Sequence, residues 1–213
     1  MSYRPITDTW ILARSKLAGG RKYYGAYPGG FPERARALLG VSLSQPVLHV
    51  CGGMARHYPY AGGFGPLDRT LDLDPETEPD YFQDAREELP FPGCWYCRGS
   101  GVASTHHSTR CPQCLGNRSL RYWPAILIDP PYTEADAEHY RPGKGVFPSA
   151  NLLLKNAVEA VAPGGRVGML HYLLPSPPRA WPCRFVAAVS VITGFNNRVR
   201  LYSVFERLPE VEP

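Results

Sequence analysis

No apolar run in the 213-residue chain approaches eighteen residues, so the sequence offers no segment fit to cross a bilayer as a helix. A charged-then-apolar leader is also missing, and the expected setting is cytoplasmic, with no membrane partner. Charge excess is small: 23 Lys and Arg against 19 Asp and Glu give a formal net charge of +4, which excludes a uniformly polyionic chain. The chain lacks Gly-x-Gly-x-x-Gly and with it the pyrophosphate cradle of dinucleotide enzymes. Repetition is confined to two Cys-x-x-Cys pairs.

What is present suits one α/β domain spanning residues 1–213, with an insertion at 93–121. The 23 prolines and 21 glycines imply many turns. Charge is unevenly spread. Met1 to Val50 carries seven bases and two acids, whereas Leu67 to Pro90 carries nine acids and two bases. The stretch from Cys94 to Arg121 holds Arg98, Arg110, Arg118 and Arg121 without any acid, a distribution that suits a polyanionic partner.

The chemistry concentrates in Ala125-Ile-Leu-Ile-Asp129-Pro130-Pro131-Tyr132. Its apolar, β-branched start predicts a buried parallel strand. The two prolines then force a stiff, extended exit that holds a carboxylate, a carbonyl and a ring at the carboxyl edge of the sheet, where ligands bind in open α/β folds. Asp-Pro-Pro-Tyr after such a strand resembles the catalytic motif of the S-adenosylmethionine-dependent amino-methyltransferases that act on adenine N6 or cytosine N4 in DNA. The resemblance implies that Asp129 and the Pro130 carbonyl accept hydrogen bonds from the target amino group. It also implies that Pro131 stiffens the turn and that Tyr132 stacks on an extruded base.

Other segments extend the resemblance. Tyr24-Gly25-Ala26-Tyr27 is similar to the element that packs over the methionine end of the cofactor. Val47-Leu-His-Val50 reads as a strand entering a turn at Cys51, Gly52 and Gly53, where backbone must come close to a cofactor; Cys51 reads as a small residue and not a nucleophile. About twenty residues on, a strand from Arg69 ends in Asp72 and Asp74, the interval at which an acid meets a ribose hydroxyl. In the next strand, Pro79 to Ala85, the resemblance assigns the adenine contact to Asp84 and Ala85.

Cys94, Cys97, Cys111 and Cys114 form two knuckles separated by thirteen residues, each followed by glycine, which is the frame for tetrahedral Zn2+. Each half resembles the zinc repeat of DnaJ-type chaperones and implies a ribbon-like hairpin. One class of DNA amino-methyltransferases carries its target-recognition region at this position, so the arginines, Trp95, Tyr96 and Trp123 are expected to meet nucleic acid.

The remaining expectations are an extended, partly ordered arm over the first twenty residues, a helix over Glu33 to Leu39 and a substrate loop over Thr133 to Gly145. After these come a helix from Ser149 to Ala162 ended by Pro163-Gly-Gly165, a strand to Tyr172, and a terminal hairpin. His171 and Tyr172 should lie near the target base. The expected fold is a Rossmann-like class I methyltransferase with a mostly parallel sheet, a terminal antiparallel β-hairpin and a small zinc-ribbon-like insertion. The expected function is methyl transfer from S-adenosylmethionine to an exocyclic base amino group, adenine N6 in DNA first. The alternatives are an RNA base methyltransferase or a catalytically silent nucleic-acid-binding protein of the same fold.

Overall fold

The computed structural model describes residues 3–13, 27–57, 63–102, 110–140, 147–193 and 196–209. Eight strands form one sheet: β1 (Ile6–Leu12), β2 (Val47–Val50), β3 (Arg69–Asp72), β4 (Tyr81–Phe82), β5 (Trp123–Ile128), β6 (Val161–His171), β7 (Cys183–Thr193) and β8 (Asn196–Arg207). Their spatial order is β4-β3-β2-β5-β6-β8-β7-β1, and β8 alone runs antiparallel to its neighbours. From β2 the chain steps outward through β3 to β4; from β5 it steps the other way to β6. The sheet therefore changes direction between β2 and β5, the switch point outside whose carboxyl ends open α/β sheets form their ligand crevice. With the antiparallel strand inserted beside β6, this is the Rossmann-like fold of class I methyltransferases.

Alternation along the central strands fills two cores. Ala125 and Leu127 of β5 face one side, with Phe31, Ala35 and Leu39 of α1 (Phe31–Leu39). Ile126 and Ile128 face the other, with Leu153, Leu154, Ala157 and Val158 of α3 (Ala150–Ala160). A strand covered on both faces must be apolar throughout, which is why this stretch shows no polar alternation. Each fully buried Leu or Ile contributes roughly 1.5–3 kcal/mol of transfer free energy, so β5 is firmly held where it delivers Asp129.

Four details depart from sequence expectation. The extended arm is in part a strand of the sheet: Ile6–Leu12 pairs in parallel with β7, and it sends Trp10 and Leu12 into the core while Ile11 stays exposed. The loop after Tyr132 begins as a helix, α2 (Glu134–Tyr140). Helix α3 stops at Ala160, because Val161 already pairs with Trp123; residues 162–165 then bulge before Arg166 regains register opposite Ala125. Gly165 is required in that bulge, since a Cβ there would lie 2.7 Å from the Pro124 carbonyl oxygen. Finally, Trp123 is no surface stacking platform. It is buried, and its indole N–H donates to the Pro90 carbonyl at 2.6 Å. Among the described residues no helix is long and apolar enough to cross a membrane.

Candidate active site and metal centre

The crevice is built from the exits of β2, β3 and β5. Strand β2 leaves through Cys51, which adopts a left-handed φ of 54°, and Gly53, with φ 48°. The Cys51 amide donates to the Leu71 carbonyl (2.8 Å) and the Asp129 amide to the Val50 carbonyl (3.1 Å), so the strand ends are clamped just beyond their last pairs. A Cβ at Gly52 would sit 2.9 Å from that of His49, which makes glycine obligatory on this side of the turn.

The charges of Asp72 and Asp84 both reach Cys51 from this side, and Asp74 follows Asp72 on the exit of β3. Asp72 accepts from the Gly53 amide and from the Asp74 amide, both at 2.9 Å; burial pushes its carboxyl up and these amides partly restore it. Asp74 accepts from the Glu76 amide (3.0 Å) and so caps the short turn that follows. Asp84 pairs with Arg86 across the next turn. Ala85 is buried, and its carbonyl accepts from the Asn156 side chain at 3.1 Å. Burial, followed by the charges of Asp72, Asp129 and Asp84, pushes the Cys51 thiol well up. The thiol is therefore un-ionised, as an inert wall residue should be.

On the far wall, Asp129 accepts a 2.5 Å hydrogen bond at Oδ1 from the Tyr132 hydroxyl. Pro130 is buried and Pro131 half-buried. Burial drives the Asp129 carboxyl up to about 7, against the opposing charge of Arg200 and the Tyr132 hydrogen bond. Oδ2 of Asp129 accepts no hydrogen bond among the described residues. The Tyr132 ring packs 4.6 Å from Tyr172 and edge-on to His171 at 5.6 Å. His171 is buried; its Nδ1 accepts from the Leu173 amide (2.9 Å), which leaves the proton on Nε2. That Nε2 has no partner among the described residues, and burial lowers the ring's basicity, so it is a neutral donor.

Of the residues singled out for the cofactor's methionine end, Tyr24, Gly25 and Ala26 lie outside the described residues. Tyr27 is buried against Phe31 and faces His49 Nδ1 across 3.3 Å. His49 in turn meets Asp68, and Asp68 also accepts from Arg36 and from the amides of Val47 and Gly65. Burial works against the Asp68 carboxylate, but His49 and Arg36 hold it below the usual range. This network ties Tyr27, α1 and β2 together, and sequence reasoning missed Asp68 and Arg36. Arg200 was missed too. Its signal was parity: with Tyr202 and Val204 fully buried, Arg200 falls on the same core-facing side of β8.

The four thiols form a separate centre. Cys94, Cys97, Cys111 and Cys114 are buried, and all their sulfurs lie within 4.8 Å of one another. Two Sγ–Sγ distances are 3.7 Å, far beyond a disulfide and close to the ~3.8 Å edge of a tetrahedron with Zn–S bonds of about 2.3 Å. The knuckles mirror each other: Arg98-Gly99 and Leu115-Gly116 each follow the second cysteine with two left-handed residues. The Gly101 amide donates to Cys97 Sγ at 3.3 Å. The donors therefore fit a zinc ion.

The stem of this module is closed by the Cys94 amide on the Arg118 carbonyl and the Leu120 amide on the Pro92 carbonyl. It is rooted at the amino end of β5, beside Trp123, whereas Asp129 follows the carboxyl end. Six strand residues at roughly 3.3 Å each put about 20 Å between root and carboxylate. Arg98, Arg110, Arg118, Arg121 and Tyr96 are exposed on or near it.

No family model matches the chain, and no curated protein matches it in sequence. Solved structures that resemble it include TrmN from Thermus thermophilus, at 18% identity and a TM-score of 0.48 over 86% of this chain and 50% of that one. The N-methyltransferase NodS from Bradyrhizobium japonicum WM9 is 13% identical, with a TM-score of 0.43 over 83% of this chain and 96% of that one. An rRNA methylase from Streptococcus thermophilus is 9% identical, with a TM-score of 0.41 over 83% and 96%. The chain thus spans about half the length of TrmN and nearly all of the other two.

Proposed function

We propose that the protein transfers the methyl group of S-adenosylmethionine to an exocyclic amino group of a base in DNA or RNA. The observation that carries this reading is Asp129: a carboxylate on a proline-stiffened exit above the β2/β5 junction, with one oxygen engaged by Tyr132 and the other without a protein donor among the described residues.

The residues around the crevice fit the cofactor. The carboxylates whose charges reach Cys51 suit a cationic, hydroxyl-rich ligand, and the Cys51–Gly53 turn brings backbone to the crevice floor. Under this reading the turn would line the cofactor's amino-acid end together with Tyr24–Tyr27. Asp72 or Asp74 would take the ribose hydroxyls, and Asp84 and Ala85 the adenine. When bound, S-adenosylmethionine supplies an electrophilic methyl group on a sulfonium.

The amine lone pair of a base is delocalised into its ring and attacks poorly. Asp129 Oδ2 and the Pro130 carbonyl would accept the two amino hydrogens, which localises the lone pair on nitrogen and withdraws positive charge as it develops. The prolines fix those acceptors before the substrate arrives, so little reorganisation remains at the moment of reaction. Tyr132 and Tyr172 would supply ring faces for an extruded base. Protonation would remove the charge of Asp129 and place a proton on one of its two oxygens, leaving it a weaker acceptor, so turnover should rise with pH through about 7.

Incubating the protein with methyl-labelled cofactor and either DNA or RNA tests the reading. Transfer to one polymer, reduced about 10²–10³-fold by Asp129→Ala, is the expected result. Transfer that survives the substitution would refute the role given to Asp129.

A further inference from the structure

We propose that Arg200 is a positioning residue for the amino-accepting pair: from β8, its guanidinium fixes the Tyr132 hydroxyl on Asp129 and sets a permanent positive charge beside that carboxylate. The proposal rests on the reading of Asp129 as amino acceptor. Arg200 is far from the Asp-Pro-Pro-Tyr turn in sequence and reaches it only because β8 inserts antiparallel beside β6.

The geometry is a relay. Arg200 Nη1 donates to the Tyr132 hydroxyl oxygen at 3.3 Å, and that hydroxyl spends its own proton on Asp129 Oδ1 at 2.5 Å. The guanidinium carbon also lies 6.0 Å from the centre of the Tyr132 ring, within reach of its electron-rich face. Arginine is suited to the place because it donates from several N–H groups, cannot give up its charge and has no acceptor that would compete for the tyrosine proton. Tyr132 is thereby prevented from offering its proton elsewhere, and the Asp129 oxygen turned to substrate stays an acceptor.

The groups around Asp129 make the need for a cation plain. Tyr132 approaches it from its own turn, Cys51 from the exit of β2, and His171 and Tyr172 surround Tyr132 from the end of β6. Asp72 and Asp84 add negative charge at Cys51. His171 is held neutral by burial. Arg200 supplies the positive charge that opposes the burial of Asp129.

Arg200→Gln and Arg200→Lys, read by turnover against pH, test the proposal. Gln should move the rising limb of kcat to higher pH by about one unit or more, so that a roughly tenfold loss below the limb is recovered in alkali. Lys, which keeps the charge, should leave the limb close to its wild-type position. Tyr132→Phe cuts the relay without touching β8 and should shift the limb in the same direction as Gln. A loss equal at every pH, or a limb unmoved in both Gln and Phe variants, would overturn the proposal, as would a Lys variant shifted as far as Gln.

A second arm needs no turnover. The pH dependence of unfolding, compared between Arg200→Gln and the Arg200→Gln/Asp129→Asn double variant, reports the titration of Asp129 directly. Its midpoint should rise relative to the same comparison in the Arg200 background; an unchanged midpoint refutes the assignment. If the wild-type protein transfers no methyl group at all, the functional reading fails while this arm still decides the case of Arg200.

Discussion

Replacing Asp129 by Asn should make the protein more stable and inactive, and the size of the gain should depend on pH. The carboxyl titrates at about 7 when folded and at its ordinary 3.8 when the chain is open, so ionising it in place opposes folding by about 4 kcal/mol. The folded state binds the extra proton, so this group's contribution to stability falls as pH rises between those values and is constant outside them. Asn keeps an oxygen to accept from Tyr132 but has nothing to ionise. Desolvation of its amide is the same at every pH and drops out of the comparison. Between pH 5.5 and 7.5 the difference in unfolding free energy, Asn variant minus wild type, should therefore grow by about 2 kcal/mol, with a slope near 1.4 kcal/mol per pH unit that flattens above 7. Urea denaturation of both proteins at a series of pH values measures it, because every other titrating group is shared. A difference that stays flat over this range would show that Asp129 is not held in a medium hostile to its charge, and the argument from its burial would fall.

The zinc assignment predicts one metal ion per chain by native mass spectrometry and none in Cys114→Ser, with Cys97→Ser behaving alike; full retention in both variants would contradict it. Gly168→Ala should cost about 2–3 kcal/mol by thermal or urea unfolding, since the new Cβ would lie 2.7 Å from two ring carbons of fully buried Tyr202, whose hydroxyl is anchored to the Ala35 carbonyl. Tyr202→Phe should relieve only part of that cost, because the ring carbons remain. Substituting Gln for Arg98, Arg110 and Arg118 together should weaken polynucleotide binding and reduce the slope of log affinity on log salt by up to about 3. Because the module is rooted about 20 Å of strand from Asp129, kcat at saturating substrate should hold within about threefold; a fall in kcat with the salt slope unchanged would count against an anchoring role.

Legibility from sequence followed how local the determinants were. Strand β5 and its proline exit were readable because full burial demands an unbroken apolar run and proline restricts its neighbours whatever surrounds them. The two knuckles were readable for a similar reason, since ligand spacing is a covalent constraint. Strand β1 was not, because an edge strand needs only Trp10 and Leu12 to face the core and leaves no periodic signal. The early end of α3 was hidden in a long-range event, the pairing of Val161 with Trp123. Tyr27, Asp68 and Arg36 form a buried network whose members are distant in sequence, and Arg200 reaches Tyr132 across 68 residues. Trp123 illustrates the converse error. An aromatic residue near arginines suggested stacking, but its indole was needed to brace the root of the insertion.

Mass spectrometry of nucleosides from DNA and RNA exposed to the protein and S-adenosylmethionine tests the central claim most directly. The account predicts a methyl group on an exocyclic nitrogen, N6 of adenine or N4 of cytosine, formed by the wild type and absent with Asp129→Asn. Methylation at a ring carbon, a ring nitrogen or a ribose oxygen would contradict it.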